Sequence, residues 1–592
     1  MGMLPWLDHP VMLHSDRDPG ECTMTPEQCA YKSGYWVNWY QDDHRYALPT
    51  VAFFLVAIFL FILGHWASIL VPVSVKRTAG WSRVVAGLRF LSYKSWRTMV
   101  WSTPSLGALL LGGAGAVYFL AMTLGPHPYY WPNTKEISFG NSPPIATRAG
   151  FMALACMPFL YVFGAKANPV SALTGISHEK LNLWHNWVAW AMYTLALVHT
   201  FPFIVFHIWK GDIVLQWNDG GVWVTGVVAL LAQTWLTFLS IPWIRNRYYE
   251  FFKSTHYIAA LVFIIFFFFH CDFRLSSWDY FIATAVLYTV CWLYSQLKTW
   301  FEHGIRHKAL LYRETDDTLK ITIPTTTVRW SPGQHMFLRF LTGDAHLLTA
   351  HPFTICSVPQ HDKPSQLVFY VRPRGGITGR LMALATKQPG VAVRVLMEGP
   401  YGGVPSRLLA SSGSKFVVGG GAGAGLTLSV IETFIRDAEV VSALKVIVST
   451  RDPSMRTWYL EALEEIAARY ARTDTISGLS IHLHETGPEI KVGTMTHIQP
   501  YGDMKEGGEQ RTEEEKSPRA DRFNLAFFRG RPNLPLAVQE FVEDRESVGI
   551  VVCGPASMTY DMGEAAAAAQ ARIIGSRGKP RDVWFHQESF SY

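Results

Sequence analysis

Two apolar stretches each carry a pair of histidines at one separation. His185 and His199 lie in LWHNWVAWAMYTLALVHTFPFIVF (183–206), His256 and His270 in FKSTHYIAALVFIIFFFFHCDF (252–273), and each pair is 14 residues apart. On a helix of about 3.6 residues per turn this is close to four turns, so both histidines of a stretch share a face, about 21 Å apart along the axis. That rise covers most of a hydrocarbon core of about 30 Å. If the two helices are neighbours running the same way, His185 meets His256 at one depth and His199 meets His270 at the other. Facing imidazoles can hold a haem iron from both sides, so the expectation is two stacked b-type haems. A histidine in an apolar helix can instead satisfy itself on a nearby carbonyl. Polar groups within a membrane are costly, and the repeated spacing favours ligands. His178 in the loop-like SHEK, His207 eight residues past His199 and off its face, and His65 in a different segment are read as non-ligands.

Helices that hold such pairs must cross a bilayer. Hydrophobic residues make up 49% of the 592 and charged residues 17%, low for a water-soluble chain. Seven spans are expected, at 49–71, 104–124, 148–164, 185–208, 222–242, 256–271 and 279–297. Aromatic residues, 22 of them Trp, suit belts at the membrane interfaces. Gly112, Gly113 and Gly115 in the second span would permit close helix contact. Residues 1–48 are polar, with Trp36, Trp39 and Tyr40 near the first span and no signal-peptide pattern, so that span is expected to act as the targeting signal. Cys22 and Cys29 would form a disulfide if this segment faces an oxidising compartment.

The loop between spans one and two holds Lys76, Arg77, Arg83, Arg89, Lys94 and Arg97 without an acid, and the loop after span five adds Arg245, Arg247 and Lys253. Cationic loops stay cytoplasmic. The N-terminus is therefore expected outside and the chain after span seven inside. Spans four and six then both run outward, making His185–His256 the inner pair and His199–His270 the outer pair. Lys166 is one candidate partner for a haem propionate and equally an ordinary interface lysine. The net charge of +6, with no polybasic tract, gives no ground for nucleic acid as a partner.

After about residue 300 short β-type runs follow, ALLYRE, LKITIP, MFLRF, LVFYVR and AVRVLMEG, as in a small antiparallel barrel. HPFTICS (351–357) and RPRGGITGRL (372–381) lie among them, the second leading into a helix whose first N–H groups could hold an anion. Together they point to a flavin pyrophosphate site. KFVVGGGAGAGLTLSVIETFI (415–435) reads as a strand, a glycine turn fitting G-x-G-x-x-A from Gly419, and a helix. LKVIVST then ends at Arg451, placed for the 2′-phosphate of NADPH, with Arg456 a lesser helper. VGIVVCGP ends in Cys553-Gly554-Pro555 at another strand edge. Residues 485–522 are charged and poor in apolar side chains, and are read as a disordered insertion.

Taken together, these features resemble the fungal-type ferric-chelate reductases of the flavocytochrome b family, related to the NADPH oxidases. The resemblance covers nearly the whole chain: the paired His-x13-His helices, HPFT, GGGAGAG, CGP and the terminal aromatic segment. It implies four haem ligands, His185, His199, His256 and His270, and no catalytic residue beyond those that hold cofactors. It implies FAD contacts at His351, Pro352, Phe353, Thr354, Arg372, Gly376 and Thr378. It implies NADPH contacts at Gly419, Gly420, Gly421, Gly423, Gly425, Arg451, Cys553 and Gly554. A terminal aromatic, Phe590 or Tyr592, would cover the flavin. The chain departs from the family at Ala422, where Thr or Ser is frequent, and at Lys166, where Arg is frequent.

The expected domains are an extracellular segment (1–48), a membrane haem domain (49–300), an FAD-binding barrel (301–410) and an α/β NADPH-binding domain (411–592) resembling ferredoxin reductases. The implied activity passes electrons from cytosolic NADPH through FAD and two haems to Fe(III) or Cu(II) chelates across the membrane, supporting metal uptake. The plasma membrane is the expected site, with the vacuolar membrane as alternative, and a metal permease or oxidase partner is left unidentified. A superoxide-generating NADPH oxidase is the rival reading. Such relatives typically have the second histidine pair one residue closer, whereas here both spacings are equal. A receptor or scaffold that had lost nucleotide binding would not need the glycine turn, Arg451 and CGP together.

Overall fold

A computed structural model describes residues 25–26, 43–98, 102–125, 143–272, 277–342, 349–360, 364–405, 413–437, 443–470, 476–487, 510–511 and 522–588. Cys22, Cys29, Trp36, Trp39, Tyr40, Phe590, Tyr592 and most of the 485–522 insertion lie outside the described residues. The described chain forms two compact units, one of Met1–Leu70 and Leu110–Tyr294, the other of Val71–Leu109 and Ser295–Ser591.

The longer helices before residue 300 are α1 (Leu48–Leu70), α2 (Ala79–Tyr93), α3 (Leu106–Leu124), α4 (Pro144–Gly164), α5 (His178–Lys210), α6 (Gly221–Phe238), α7 (Tyr249–Cys271) and α8 (Ser277–Leu297). All but α2 are long and apolar enough to cross a membrane, and they correspond to the seven expected spans. The largest departure is α5, which starts at His178 and runs 33 residues. His178 is therefore a helical residue and not part of a loop. In the first unit, α4 lies along α5 and α6 along α7. Ala146, Ala149, Ala153 and Ala155 of α4 are buried, small side chains that let a neighbouring helix approach. Gly112 of α3 serves the same end: a Cβ there would stand 2.1 Å from the Trp187 ring.

The second unit contains two sheets. β1 (Lys308–Thr315), β2 (Thr318–Thr325), β3 (Gln334–Phe340), β4 (His351–Thr354), β5 (Ser365–Val371) and β6 (Val391–Gly402) pair antiparallel in the order β4-β3-β6-β1-β2-β5. Helix α9 (Gly376–Lys387) buries Ile377, Leu381 and Ala385 against this sheet's core. The second sheet runs β10-β11-β9-β8-β7-β12-β13. Its members are β7 (Ser414–Gly420), β8 (Ala443–Thr450), β9 (Leu479–Glu485), β10 (Gln510–Arg511), β11 (Leu525–Arg529), β12 (Ser547–Cys553) and β13 (Asp582–Glu588). All its pairings are parallel except β10 with β11. Its continuous apolar strands, such as the fully buried β7, need helices on both faces. These include α10 (Ala424–Arg436), α11 (Met455–Arg469), α12 (Leu534–Glu543) and α13 (Ala556–Ile574). The two described residues of the expected disordered insertion that enter β10 extend the sheet.

Helix α2 belongs to this second unit. Arg89 pairs with Asp582 at 2.5 Å and stacks 3.9 Å from the Trp584 ring. Lys94 pairs with Glu564 of α13 at 2.5 Å. Two cations of the basic loop thus meet carboxylates of the nucleotide-type domain.

Candidate haem and nucleotide sites

The four histidines come together as two pairs. The rings of His185 and His256 have centroids 6.3 Å apart, and those of His199 and His270 5.8 Å. Each ring is held by its other nitrogen. Nδ1 of His185 donates to Leu160 O, of His199 to Ala146 O and of His270 to Val222 O, each at 2.8 Å. His256 differs: its Nδ1 lies 3.3 Å from Ser240 Oγ. Ser240 spends its hydroxyl proton on Leu236 O at 2.5 Å, so its oxygen accepts from His256. A carbonyl or committed hydroxyl can only accept, so Nδ1 carries the proton in all four rings and Nε2 is the nitrogen suited to a metal.

This arrangement fits a haem iron in each gap. Two imidazole–metal bonds of about 2.0–2.1 Å, on the zinc–imidazole scale, plus roughly 1 Å of ring radius at each end require centroids on the order of 6 Å apart. Small residues make the fit possible. A Cβ on Gly150 would lie 2.7 Å from His199 Nδ1, on Gly164 3.0 Å from His185 Nδ1, and on Gly226 2.6 Å from His270 Nδ1. Sequence reasoning missed these glycines, although the signal was present. Gly150 and Gly164 on α4, and Gly226 on α6 with Ser240 just past its end, repeat the 14-residue spacing of the histidines they face. At the three glycines the accepting carbonyl is four residues earlier, where helical geometry places it beneath.

A cavity of about 680 Å³ opens on the His199–His270 pair, lined by Gly150, Phe203 and Gly226 and, toward the end of α5, by His207 and Lys210. His207 was expected off the face of His199; both nevertheless line this cavity. Lys166, just beyond α4, is half-buried.

In the second unit, His351, Pro352, Phe353 and Thr354 form β4, the edge strand beside β3. Phe353 packs against Phe340 and Phe369, so it also serves the core. Gly376 opens α9 with φ +53, and Thr378 Oγ1 accepts from Arg374 N at 3.0 Å while donating to Gly375 O at 2.9 Å. This turn presents a helix N-terminus, as an anionic pyrophosphate requires. Arg372 is exposed, pairs with Asp317 at 3.0 Å and lines a small cleft with Gly421, Ala422 and Thr450.

The glycine turn joins β7 to α10 at the carboxyl edge of the parallel sheet. Arg451 follows β8 on one side and Cys553 ends β12 on the other, at the edge where such sheets bind ligands. The glycines do different things. Gly421, at φ +54, faces open space and leaves room for a phosphate. Gly423 and Gly425 are packing glycines: a Cβ would meet Cys553 O at 2.1 Å and Cys356 Sγ at 2.4 Å. Burial pushes the Cys356 thiol up to about 12 and Cys553 higher still, so both stay protonated.

Two buried carboxylates were not anticipated. Glu588 accepts from Gly403 N at 2.9 Å and from His586 Nε2 at 2.7 Å, tying the last described strand to β6. Glu432 of α10 accepts from Val358 N at 3.0 Å and from Arg469, tying the HPFT loop to the nucleotide-type domain. A lone acid inside an apolar periodic stretch was the available signal for each.

Comparison with known proteins agrees part by part. Residues 149–267 match the family "Ferric reductase like transmembrane component", 304–405 an "FAD-binding domain" and 416–567 a "Ferric reductase NAD binding domain". A protein named "Probable cell surface ferric reductase kap2" from Aspergillus oryzae is 32% identical over 409 residues, 65% of this chain and 53% of that one. "Ferric/cupric reductase transmembrane component 7" of Saccharomyces cerevisiae (strain YJM789) is 24% identical over 546 residues, 86% of this chain and 85% of that one. "Ferric/cupric reductase transmembrane component 1" of Candida albicans is 25% identical over 450 residues, 72% of this chain and 55% of that one. The chain thus spans about half the length of two of these relatives and most of the third. All three carry reductase names. With its seven apolar helices, antiparallel flavin-type sheet and parallel nucleotide-type sheet, the chain is similar in each of its three parts to the fungal ferric reductases.

Proposed function

We propose that this protein is a transmembrane metalloreductase that takes electrons from cytosolic NADPH and delivers them to Fe(III) or Cu(II) chelates on the opposite side of the membrane. The observation that carries the reading is the pair of imidazole gaps at 6.3 and 5.8 Å on α5 and α7, each ring locked by its Nδ1. When bound, FAD accepts a hydride and releases single electrons, and each of two b-type haems carries one electron at a time.

The chain's own residues hold and orient these groups. His185 with His256, and His199 with His270, supply axial nitrogens. Residues 301–410 hold FAD through His351 to Thr354, Arg372, Gly376 and Thr378. Residues 411–592 hold NADPH through the 419–425 turn, with Arg451 at its 2′-phosphate and Cys553 and Gly554 at the strand edge. Glu432 and Glu588 fix the two domains of this half against each other. A C-terminal aromatic, Phe590 or Tyr592, covers the flavin. The basic loops support an N-terminus outside and nucleotide domains in the cytosol, with the plasma membrane as the membrane crossed on this reading.

The test uses membranes carrying the protein, supplied with NADPH and a ferric chelate. Ferrous iron should form at a rate indifferent to superoxide dismutase, with a haem spectrum reducible by NADPH. Iron reduction abolished by dismutase would mean that oxygen takes the electrons first, and would overturn the reading.

A further inference from the structure

The mouth of the His199–His270 cavity is built around His207, a residue first read as a non-ligand. The helix α5 ends at Lys210, and Gly211 adopts φ +77, reversing the chain so that Asp212 returns beneath the last turn. Asp212 Oδ1 then lies 2.7 Å from His207 Nδ1, while Oδ2 takes Lys210 Nζ at 3.0 Å and Gln216 Nε2 at 3.3 Å. With Lys210 paired to its other oxygen, the Asp212 carboxylate accepts from His207 Nδ1, which leaves Nε2 as the ring nitrogen that can reach a ligand. A carboxylate behind an imidazole is the arrangement that orients a metal-binding histidine and raises its basicity.

The position is connected to the paired histidines. His207 is 7% exposed and lines the cavity with His199, Lys210, Gln216 and Asp219. Phe203 stands between the two histidines on the same helix, 5.1 Å from the His199 ring and stacked 6.3 Å from His207 at 16°. Trp223 closes the other side of His207 at 5.1 Å. Lys210 is the cation of the group and is bound by Asp212, so the mouth is lined by one imidazole, one carboxylate, Asp219, and one neutralised amine. That set attracts a cation. Imidazole with carboxylate suits iron and copper.

We propose that His207 Nε2 is the docking ligand for the Fe(III) or Cu(II) acceptor, with the Asp219 carboxylate lining the same cavity and Asp212 as its positioning residue. The proposal rests on the metalloreductase reading and names the place where its substrate binds. The docked metal gains one electron, Fe(III) becoming Fe(II) or Cu(II) becoming Cu(I), supplied by the NADPH-driven activity. No bond within the chain forms or breaks.

The test is Cu(II) titration of the oxidised, detergent-purified holoprotein, read by electron paramagnetic resonance and calorimetry. Wild type should bind Cu(II) with nitrogen hyperfine splitting. His207→Phe, which keeps the ring stack, should lose the splitting, yet keep both haem bands and their reduction by NADPH. Asp212→Asn should weaken Cu(II) about 10- to 100-fold, the usual effect of removing such an outer partner. Asp219→Asn should raise the KM for ferric citrate while NADPH still reduces both haems, and it serves as the second reading if His207→Phe does not fold. An unchanged copper signal in His207→Phe would overturn the proposal. So would a lost or shifted haem band with copper binding intact, which would make His207 a haem propionate partner. Failure of the metalloreductase reading looks different: wild-type haems reduced by NADPH that no metal chelate reoxidises.

Discussion

The His199–His270 and His185–His256 sites share a spacing and differ in their supports. At the first, both Nδ1 protons go to backbone carbonyls at 2.8 Å, and glycines 150 and 226 allow the rings to approach. At the second, His185 has the same support through Leu160 and Gly164, but His256 rests on the Ser240 hydroxyl at 3.3 Å. A carbonyl in a helix is fixed by the helix; a hydroxyl turns about its own bond. The first site also opens into a cavity with a polar mouth, and neither His185 nor His256 lines that cavity. Equal ligands thus do not make equal sites: the carbonyl-locked pair has the accessible end, and the hydroxyl-supported pair has a ligand whose basicity a single side chain can change.

Ligand removal should separate the two most sharply. His199→Ala and His185→Ala should each halve haem content in a pyridine haemochrome assay. Each should lower metal reduction by more than about 100-fold, beyond the roughly 10- to 100-fold cost of altering outer partners. In stopped flow, NADPH should still reduce the haem left in His199→Ala and fail to reduce the one left in His185→Ala. The reverse would exchange the inner and outer assignments.

Glycine substitutions should come next. Gly226→Ala and Gly150→Ala place a methyl 2.6 and 2.7 Å from a ring nitrogen, Gly164→Ala at 3.0 Å. Overpacking of this kind costs about 1–3 kcal/mol. The first two should lose most of the His199–His270 haem, while Gly164→Ala should retain its own with a broadened band. Equal losses in all three would mean that the supports are interchangeable. The smallest effect belongs to Ser240→Ala. Removing a weak acceptor worth about 0.5–1 kcal/mol should raise the midpoint potential of the His185–His256 haem by about 20–40 mV, at about 59 mV per tenfold for one electron. Redox titration should find the other haem unmoved.

Much of this architecture was legible in the chain. The 14-residue histidine spacing gave both pairs, because helical phase is a local property. Alternation gave the β-runs, and the glycine turn between an apolar strand and a periodic helix marked the join of β7 to α10. Span limits were softer: α5 extends past both expected ends, since apolar content does not say where backbone hydrogen bonding stops. His207 was passed over because its phase relative to His199 is wrong for one helix face. Only the shared cavity and the return of Asp212 make it part of the same site.

What the sequence alone determined is what repeats along one strand or helix: seven apolar spans, the depth of each histidine, the cationic loops and the order of the three functional regions. What the tertiary structure decided is what depends on approach between segments far apart in the chain. It showed that Gly150, Gly164 and Gly226 stand against imidazoles, that Ser240 replaces a glycine at one of the four supports, that Gly423 and Gly425 are needed by Cys553 and Cys356, and that Arg89 and Lys94 meet Asp582 and Glu564. Periodicity is written in neighbouring residues, whereas a missing Cβ acquires meaning only from the atom that would strike it.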